Sequence, residues 1–245
     1  MRRFDNVDDP RRRLLVEALT LGLFSAGFPR GNALAQSVFG SRPAKLPPGQ
    51  SVYRIAGSAS VNGTAATLKT PVRLGDTIET GKDSEIIFAV GDQSMLLRSN
   101  TRLVIEGEKK ESASLLISGL RLLTGALLSV SRDRQMRVVT AAATIGIRGT
   151  GFYAESDPEQ TYFCTCYGTT DVAASNDPAS KETVVSKQHD RPLYILGKAA
   201  PGRSIRNAPF INHTDQELML IETLVGRTLP FTFPKDDYTG PRRDY

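Results

Sequence analysis

The whole thiol and imidazole inventory of this 245-residue chain is two cysteines and two histidines. Both cysteines sit in Thr161-Tyr162-Phe163-Cys164-Thr165-Cys166-Tyr167-Gly168. Residues two apart on a β-strand project to the same face, so Cys164 and Cys166 would offer two sulfurs side by side, with Phe163, Thr165 and Tyr167 on the other face. The histidines follow downstream, His189 in Gln188-His189-Asp190-Arg191-Pro192 and His213 in Asn212-His213-Thr214-Asp215. Two thiolates with one or two imidazoles make a Cys2His or Cys2His2 set for zinc or copper. C-x-C is one residue shorter than the usual zinc knuckle, and the histidines are not a close pair. Three other readings of the cysteines therefore stay open. A disulfide would bridge Cα atoms about 6.5–7 Å apart, at the limit of normal geometry; the others are a redox-active pair or buried small hydrophobes.

Other chemistry finds less support. Two histidines nearly exclude a multi-histidine metal cage, and no Ser/His/Asp order suggests a hydrolase. No catalytic residue is assigned and an enzyme is not expected. The glycine run Gly146-Ile147-Arg148-Gly149-Thr150-Gly151 does not read as a phosphate loop, because 147–153 is β-like and no helix N-terminus follows to receive an anion. The glycines at 146, 149 and 151 suit close backbone approach or positive φ, and Ile145 and Ile147 suit a core. Arg148 then reads as a structural clamp, tying loop carbonyls or pairing with a carboxylate such as Asp76 or Asp92.

The elements that must carry these residues are mostly strands. From 51 to about 171 the chain repeats a short aliphatic or β-branched run followed by a Gly, Asn or Asp turn, with strands predicted at 52–55, 77–80, 85–90, 94–98, 102–106, 113–118, 126–131, 136–140, 152–155 and 161–166. This rhythm indicates an all-β fold, a Gly-punctuated β-roll, sandwich or solenoid-like domain. Ile86, Phe88 and Val90 fall on one strand face, as do Leu103 and Ile105. After 171 the chain turns polar: 175–187 reads as surface turn around Asn176-Asp177-Pro178, with short β pieces near 183–186 and 193–196. Thr214-Asp215-Gln216-Glu217 has capping-box spacing, Leu218, Ile221, Leu224 and Val225 make one apolar stripe, and Gly226 fits the stop. One amphipathic helix over about 214–225 is predicted to lie on the β core, followed by a tail, Leu229 to Pro234, able to pack an aromatic or meet a partner.

Several strings resemble a FecR-type domain: Ala56-Gly57 through Gly63; Val72-Arg73-Leu74-Gly75-Asp76-Thr77-Ile78-Glu79-Thr80-Gly81; Asp83-Ser84-Glu85; and Val90-Gly91-Asp92-Gln93-Ser94. Leu123-Thr124-Gly125-Ala126-Leu127, Val138-Val139-Thr140 and Ala143-Thr144-Ile145-Gly146-Ile147-Arg148-Gly149-Thr150-Gly151-Phe152 complete the likeness, which spans about 51–173. Gly146, Arg148, Gly149, Thr150 and Gly151 are its structural signature. In signalling members of that family a cytoplasmic part binds an anti-σ target, one membrane helix follows, and a periplasmic domain relays the state of a siderophore receptor. Too little chain precedes residue 14 for such a cytoplasmic part, so the resemblance implies only the extracytoplasmic sensing or interaction domain. The C-x-C, the His-Asp-x-Pro and the terminal Thr-Asp-x-Glu-Leu segments resemble a distinct exported subgroup.

Length and composition agree with this plan. The chain is 40% hydrophobic and 23% charged, with 21 Gly, 14 Pro and no Trp, enough to bury a core and too turn-rich for a helical bundle. Its net charge is +5. Six arginines against four carboxylates in residues 1–35 supply +2 of it. That segment reads as a signal peptide: Arg11-Arg12-Arg13, an apolar run over 14–28, and Ala33-Leu34-Ala35 before Gln36, with a likeness to twin-arginine export. Cleavage would leave no stable membrane span and a mature chain near +3, which argues against nucleic acid and for the periplasm or another exported location. The expected partner is an envelope protein or polymer. The expected organisation is leader 1–35, linker 36–50, FecR-type β domain 51–173 and C-terminal extension 174–245.

Overall fold

A computed structural model describes residues 43–109 and 115–232. The chain divides into a unit Met1–Lys45 and a unit Leu46–Tyr245, and the fold and site below belong to the second. The predicted leader, residues 1–35, residues 36–42 of the predicted linker and the Phe233-Pro234 part of the tail lie outside the described residues. Among those described, no helix is long and apolar enough to cross a membrane.

The described chain is all-β with one C-terminal helix. Its strands are β1 (Val52–Ala56), β2 (Ala59–Val61), β3 (Thr64–Ala65), β4 (Thr77–Thr80), β5 (Glu85–Val90), β6 (Gln93–Leu97), β7 (Arg102–Lys109), β8 (Leu115–Val139), β9 (Ala143–Ser156), β10 (Gln160–Ala174), β11 (Asp177–Ser186), β12 (Leu193–Leu196) and β13 (Ile205–Asn207), followed by helix α1 (Asp215–Leu224). They join in one sheet network of order β13-β12-β10-β9-β8-β7-β4-β2-β3, with β11 also on β10 and the chain β1-β5-β6 entering through β8. Every pairing is antiparallel.

The spine is the meander β8-β9-β10, whose strands are far longer than the sequence rhythm suggests. The predicted runs 113–118, 126–131 and 136–140 fuse, from Leu115 onward, into the single 25-residue β8; residues 113 and 114 themselves are outside the described set. Three glycines that read as turns, Gly107, Gly125 and Gly149, lie within strands instead. Gly125 shows why: there β8 passes from pairing β7 to pairing β6. Its φ is +81°, and a Cβ would lie 2.5 Å from the Thr101 Cα. Only glycine fits both constraints. The polar stretch 175–187 is likewise mostly strand: β11 pairs with β10 from Gly168↔Ser186 to Ala174↔Asp177. Its alternating burial is that of a half-covered edge strand, which a polar composition conceals.

One strand face builds the core. Ile78, Ile86, Phe88, Met95, Leu97, Leu103, Leu127, Phe152, Phe163 and Ile195 belong to a single contiguous cluster, so the sheet must roll back on itself rather than lie flat. Ile86, Phe88 and Val90 share this face as expected. By alternation Leu96, Leu128 and Val130, all fully buried, lie on the opposite face. That face is the one α1 covers through β6 and β8. The helix is buried over more than one stripe: Leu220 joins Leu218, Ile221 and Leu224, together with the polar Asp215, Glu217 and Glu222, while Val225 lies at the C-cap.

Candidate metal centre

β10 presents the two thiols on its helix-covered face. Cys164 and Cys166 are free and fully buried, whereas Phe163 points into the core, stacked on Phe152 at 5.7 Å. The strict alternation expected from the sequence breaks after Thr165. Pairing steps from Thr165↔Phe152 to Tyr167↔Gly151, so two residues of β10 oppose one of β9. This bulge brings Tyr167 round to the cysteine side, against the expectation, where it meets Phe231 and Glu222. Gly151 makes room for it: a Cβ there would sit 2.4 Å from Tyr167 Cε1.

The histidines arrive on two separate pieces of chain. His189 follows β11 in a short loop, at φ +52°. Its N–H donates to the Cys166 carbonyl at 2.9 Å. Asp190 holds the loop by accepting from the Lys187 and Gln188 amides at 2.6 and 3.4 Å. Those donors keep the Asp190 carboxyl below its ordinary range, against a smaller opposing effect of burial. His213 immediately precedes the Thr214 N-cap. The capping box forms as its spacing predicts, with Glu217 N–H donating to Thr214 Oγ1 at 3.2 Å and Thr214 N–H to Glu217 Oε2 at 2.9 Å. Capping fixes the first helical turn and hence the approach of His213.

The four side chains converge. One ligand atom from each of Cys164, Cys166, His189 and His213 lies within 4.8 Å of every other. Cys164 Sγ is 3.4 Å from His189 Nδ1, Cys166 Sγ 3.4 Å from His213 Nε2, and the two inner nitrogens are 3.2 Å apart. His213 is fully buried and His189 is 9% exposed.

A second layer sets the rings. His189 Nε2 bonds Asp215 Oδ1 at 2.8 Å, and Gln188 donates to the other Asp215 oxygen at 2.9 Å. His213 Nδ1 bonds the Ile211 carbonyl at 2.7 Å. Both outer partners accept, so both outer nitrogens carry the hydrogen and each neutral ring turns a lone pair inward. Phe210 stacks on His189 at 4.1 Å and Tyr153 on His213 at 4.4 Å, which limits ring rotation.

Protonation follows from this crowding. Burial opposes a Cys164 thiolate, but the hydrogen bond with Cys166 and the interactions with His213 and His189 outweigh it and hold the thiol well below its ordinary value. Burial and the neighbouring Cys164 push Cys166 well above. Burial also disfavours imidazolium at His189, yet Asp215 and Cys164 raise it to about 9. The chemistry is that of an ionisable chelating set.

Two further polar clusters flank the centre. Arg98 donates to Glu217 at 2.8 Å and to the Asn212 carbonyl at 2.9 Å, with Glu85 at 3.5 Å. At the other end of α1 the fully buried Glu222 meets Arg132 Nε at 3.1 Å, Arg227 Nε at 2.7 Å and the Tyr167 hydroxyl. A pocket of about 490 Å³ opens beside it, lined by Arg132, Tyr167, Gly168, Lys187, Pro230 and Phe231 among others.

The sequence singled out all four converging side chains. It did not single out Asp215, Gln188, Tyr153 or Phe210 as their supports, nor Glu222 and its arginines. The available signal was Asp215, two residues after His213 at the first helical position. The glycine signature lies elsewhere. Arg148 does not reach Asp76 or Asp92; its guanidinium pairs with Asp171 across the β9-β10 ladder, half-exposed at the surface, and Asp171 also accepts from Thr183 of β11 at 2.7 Å. Asp171 lies on the adjacent strand, two residues beyond Arg148's register partner Thr169, a diagonal neighbour that only the pairing reveals. Gly149 has positive φ, whereas Gly146 meets only ordinary contact at Asp171.

Comparison with known proteins finds a likeness over part of the chain. Residues 76–169 match the family described as "FecR protein". No curated protein matches the chain. Two crystal structures of a "putative anti-sigma factor" from Parabacteroides distasonis ATCC 8503 are similar over 60% of this chain. Both are 12% identical; one aligns over 74% of its own chain with a TM-score of 0.43, the other over 73% with 0.42.

Proposed function

We propose that this chain, which carries a FecR-type domain over residues 76–169, is an exported, non-enzymatic module that senses or binds another component of the cell envelope, an envelope protein or polymer. The family match is the observation that carries this reading. It supports a regulatory sensing role for the β domain, and the leader-like segment 1–35 supports work in the periplasm or beyond. The organisation that goes with it is leader 1–35, linker 36–50, sensing domain 51–173 and extension 174–245. The second reading, a small metal-carrying or redox protein, is favoured by the convergence of Cys164, Cys166, His189 and His213.

Export and binding are tested together. Protein recovered from an envelope fraction should begin near Gln36 by mass spectrometry; a start at Met1 there refutes cleavage. Photo-crosslinkers at the exposed Leu68, Leu123 and Val185 should each be tried in intact cells. One reproducible adduct is expected from at least one position, and absence of any adduct from all three overturns the interaction role.

A further inference from the structure

We propose that Cys164, Cys166, His189 and His213 form a closed, mononuclear tetrahedral site for a zinc-class divalent ion, and that this ion clips residues 187–232 onto β10. The inference is independent of what the β domain binds.

The geometry fits first. Bonds of about 2.3 Å to sulfur and 2.0–2.1 Å to nitrogen give a tetrahedron with edges of about 3.4 Å between nitrogens and about 3.6 Å between nitrogen and sulfur. The corresponding separations are 3.2 and 3.4 Å. Second, the outer partners Asp215 and Ile211 turn both inner nitrogens, 3.2 Å apart, toward the two sulfurs, where each can give a lone pair to one cation once any shared proton has left. Third, carboxylate and carbonyl acceptors on the far nitrogens are the usual support of metal-bound imidazoles.

The donor set also selects the ion. Two thiolates neutralise a divalent charge, which suits a fully buried site. Two sulfurs and two imidazoles in a closed tetrahedron suit zinc over softer, lower-coordinate copper(I). A two-iron cluster with the same ligand types would separate the thiolate pair from the imidazole pair on different irons. Here each sulfur lies 3.4 Å from an imidazole nitrogen and all four ligand atoms fall within 4.8 Å of one another, which leaves room for a single ion. A disulfide would join the two sulfurs, whereas each sulfur lies against its own imidazole. Four protein ligands leave no open position, so the ion's role is structural.

Binding is balanced as a proton exchange. The set carries two exchangeable protons in its neutral form, whether on both thiols or with one passed to His189. One Zn2+ enters, two protons leave, and no oxidant or reductant is involved.

The site joins three stretches far apart in sequence: β10, the loop after β11 and the chain entering α1. Removing the ion should therefore loosen the last two and leave the β8-β9-β10 ladder.

The test uses the full exported chain, purified under reducing conditions. One equivalent of zinc is expected by elemental analysis, with release of two protons per zinc on reloading in weak buffer. Cobalt(II) exchanged into the wild-type protein should give the intense visible bands of a tetrahedral thiolate site, a readout that needs no variant to fold. Cys164→Ser/Cys166→Ser should retain under about a tenth of an equivalent. Asp215→Asn keeps all four ligands and should weaken zinc about 10–100-fold in chelator competition; unchanged affinity overturns its positioning role. Chelation should open 187–232 to proteolysis while β8–β10 amides stay protected from exchange. Less than a tenth of an equivalent after zinc reloading, preferential retention of copper, or absent cobalt bands overturns the site. Unchanged protection of 187–232 once zinc is gone overturns the clip.

Discussion

The two ends of α1 are fastened to the sheet by different chemistry. At the N-terminal end, His213 and Asp215 join the thiols and His189, and Arg98 bridges Glu217 to the Asn212 carbonyl. At the C-terminal end, the buried Glu222 lies between Arg132, Arg227 and the Tyr167 hydroxyl, and Arg227 donates onward to the Asp92 carbonyl at 2.9 Å. The second end is satisfied by protein donors: the Glu222 carboxylate accepts from two guanidinium groups and a hydroxyl. The first end gathers acceptors and thiols around one point, with more lone pairs than donors. A helix held at one end by a self-contained ion pair and at the other by a chelating set is stable at one end whatever its surroundings, and conditional at the other.

Removing the self-contained end should have the largest effect. Glu222→Ala leaves two partly buried guanidinium groups facing an apolar hole and should cost about 3–5 kcal/mol, a fall in Tm of roughly 10 °C; cobalt(II) binding at the other end should survive, and its loss would show that the two ends are one unit. Arg98→Ala strips Glu217 of its charge partner, with side-chain exposures of 17% and 4% for the pair. A cost of about 3 kcal/mol in urea melts is expected, and a cost below about 1 kcal/mol would mean that the capping box alone holds that end. Asp177 lies outside both ends. It accepts from Ser180 at 2.6 Å, Ser204 at 2.8 Å and the Gly202 amide at 2.8 Å, and the two serine hydroxyls, with the amide adding to them, hold its carboxyl below the ordinary range. A depressed folded value contributes stability above the unfolded value, lost as pH falls through the folded one. Asp177→Asn should therefore flatten the acid side of a pH series of urea melts and leave zinc content unchanged. The smallest effect belongs to Arg148→Ala, since the pair with Asp171 is half-exposed: under about 1 kcal/mol. A larger loss would make the glycine signature a stability centre comparable with the ends of α1.

How much of this was legible depended on the range of the interaction. The capping box is three residues long, so Thr214 and Glu217 announced the helix to within one residue at either end. Most strands from 51 to 171 were legible, because turn residues and alternation are also local, but the short β2 and β3 fall outside the predicted runs. Strand length was not: Gly125 and Gly168 have positive φ in the middle of strands, and a residue that permits a turn also permits a kink. The first part of β11, before the predicted piece at 183–186, reads as a polar turn because its outer edge is solvated, a property of its place in the sheet. In the site, residue types pointed to four side chains that the fold brings together, while the bulge that puts Cys166 and Tyr167 opposite one β9 residue had no sequence mark. Tyr167 was therefore assigned to the wrong face, and Arg148 to the wrong carboxylate.

The sequence by itself determined the chemistry on offer: two thiols on one strand, two imidazoles downstream, a capped helix and a β domain whose residues 76–169 match the FecR family model. Each is written in residue identity or in spacing shorter than one turn or one hairpin. Only the tertiary structure decided that His189 and His213 meet the two sulfurs, because that meeting requires β11 to pair back along β10 and α1 to cover the face opposite the core. It also decided which nitrogen of each ring points inward, since Asp215 and the Ile211 carbonyl hold the other. Hydrogen-bond direction and ligand distance depend on long-range packing, and the chain reports them only once folded.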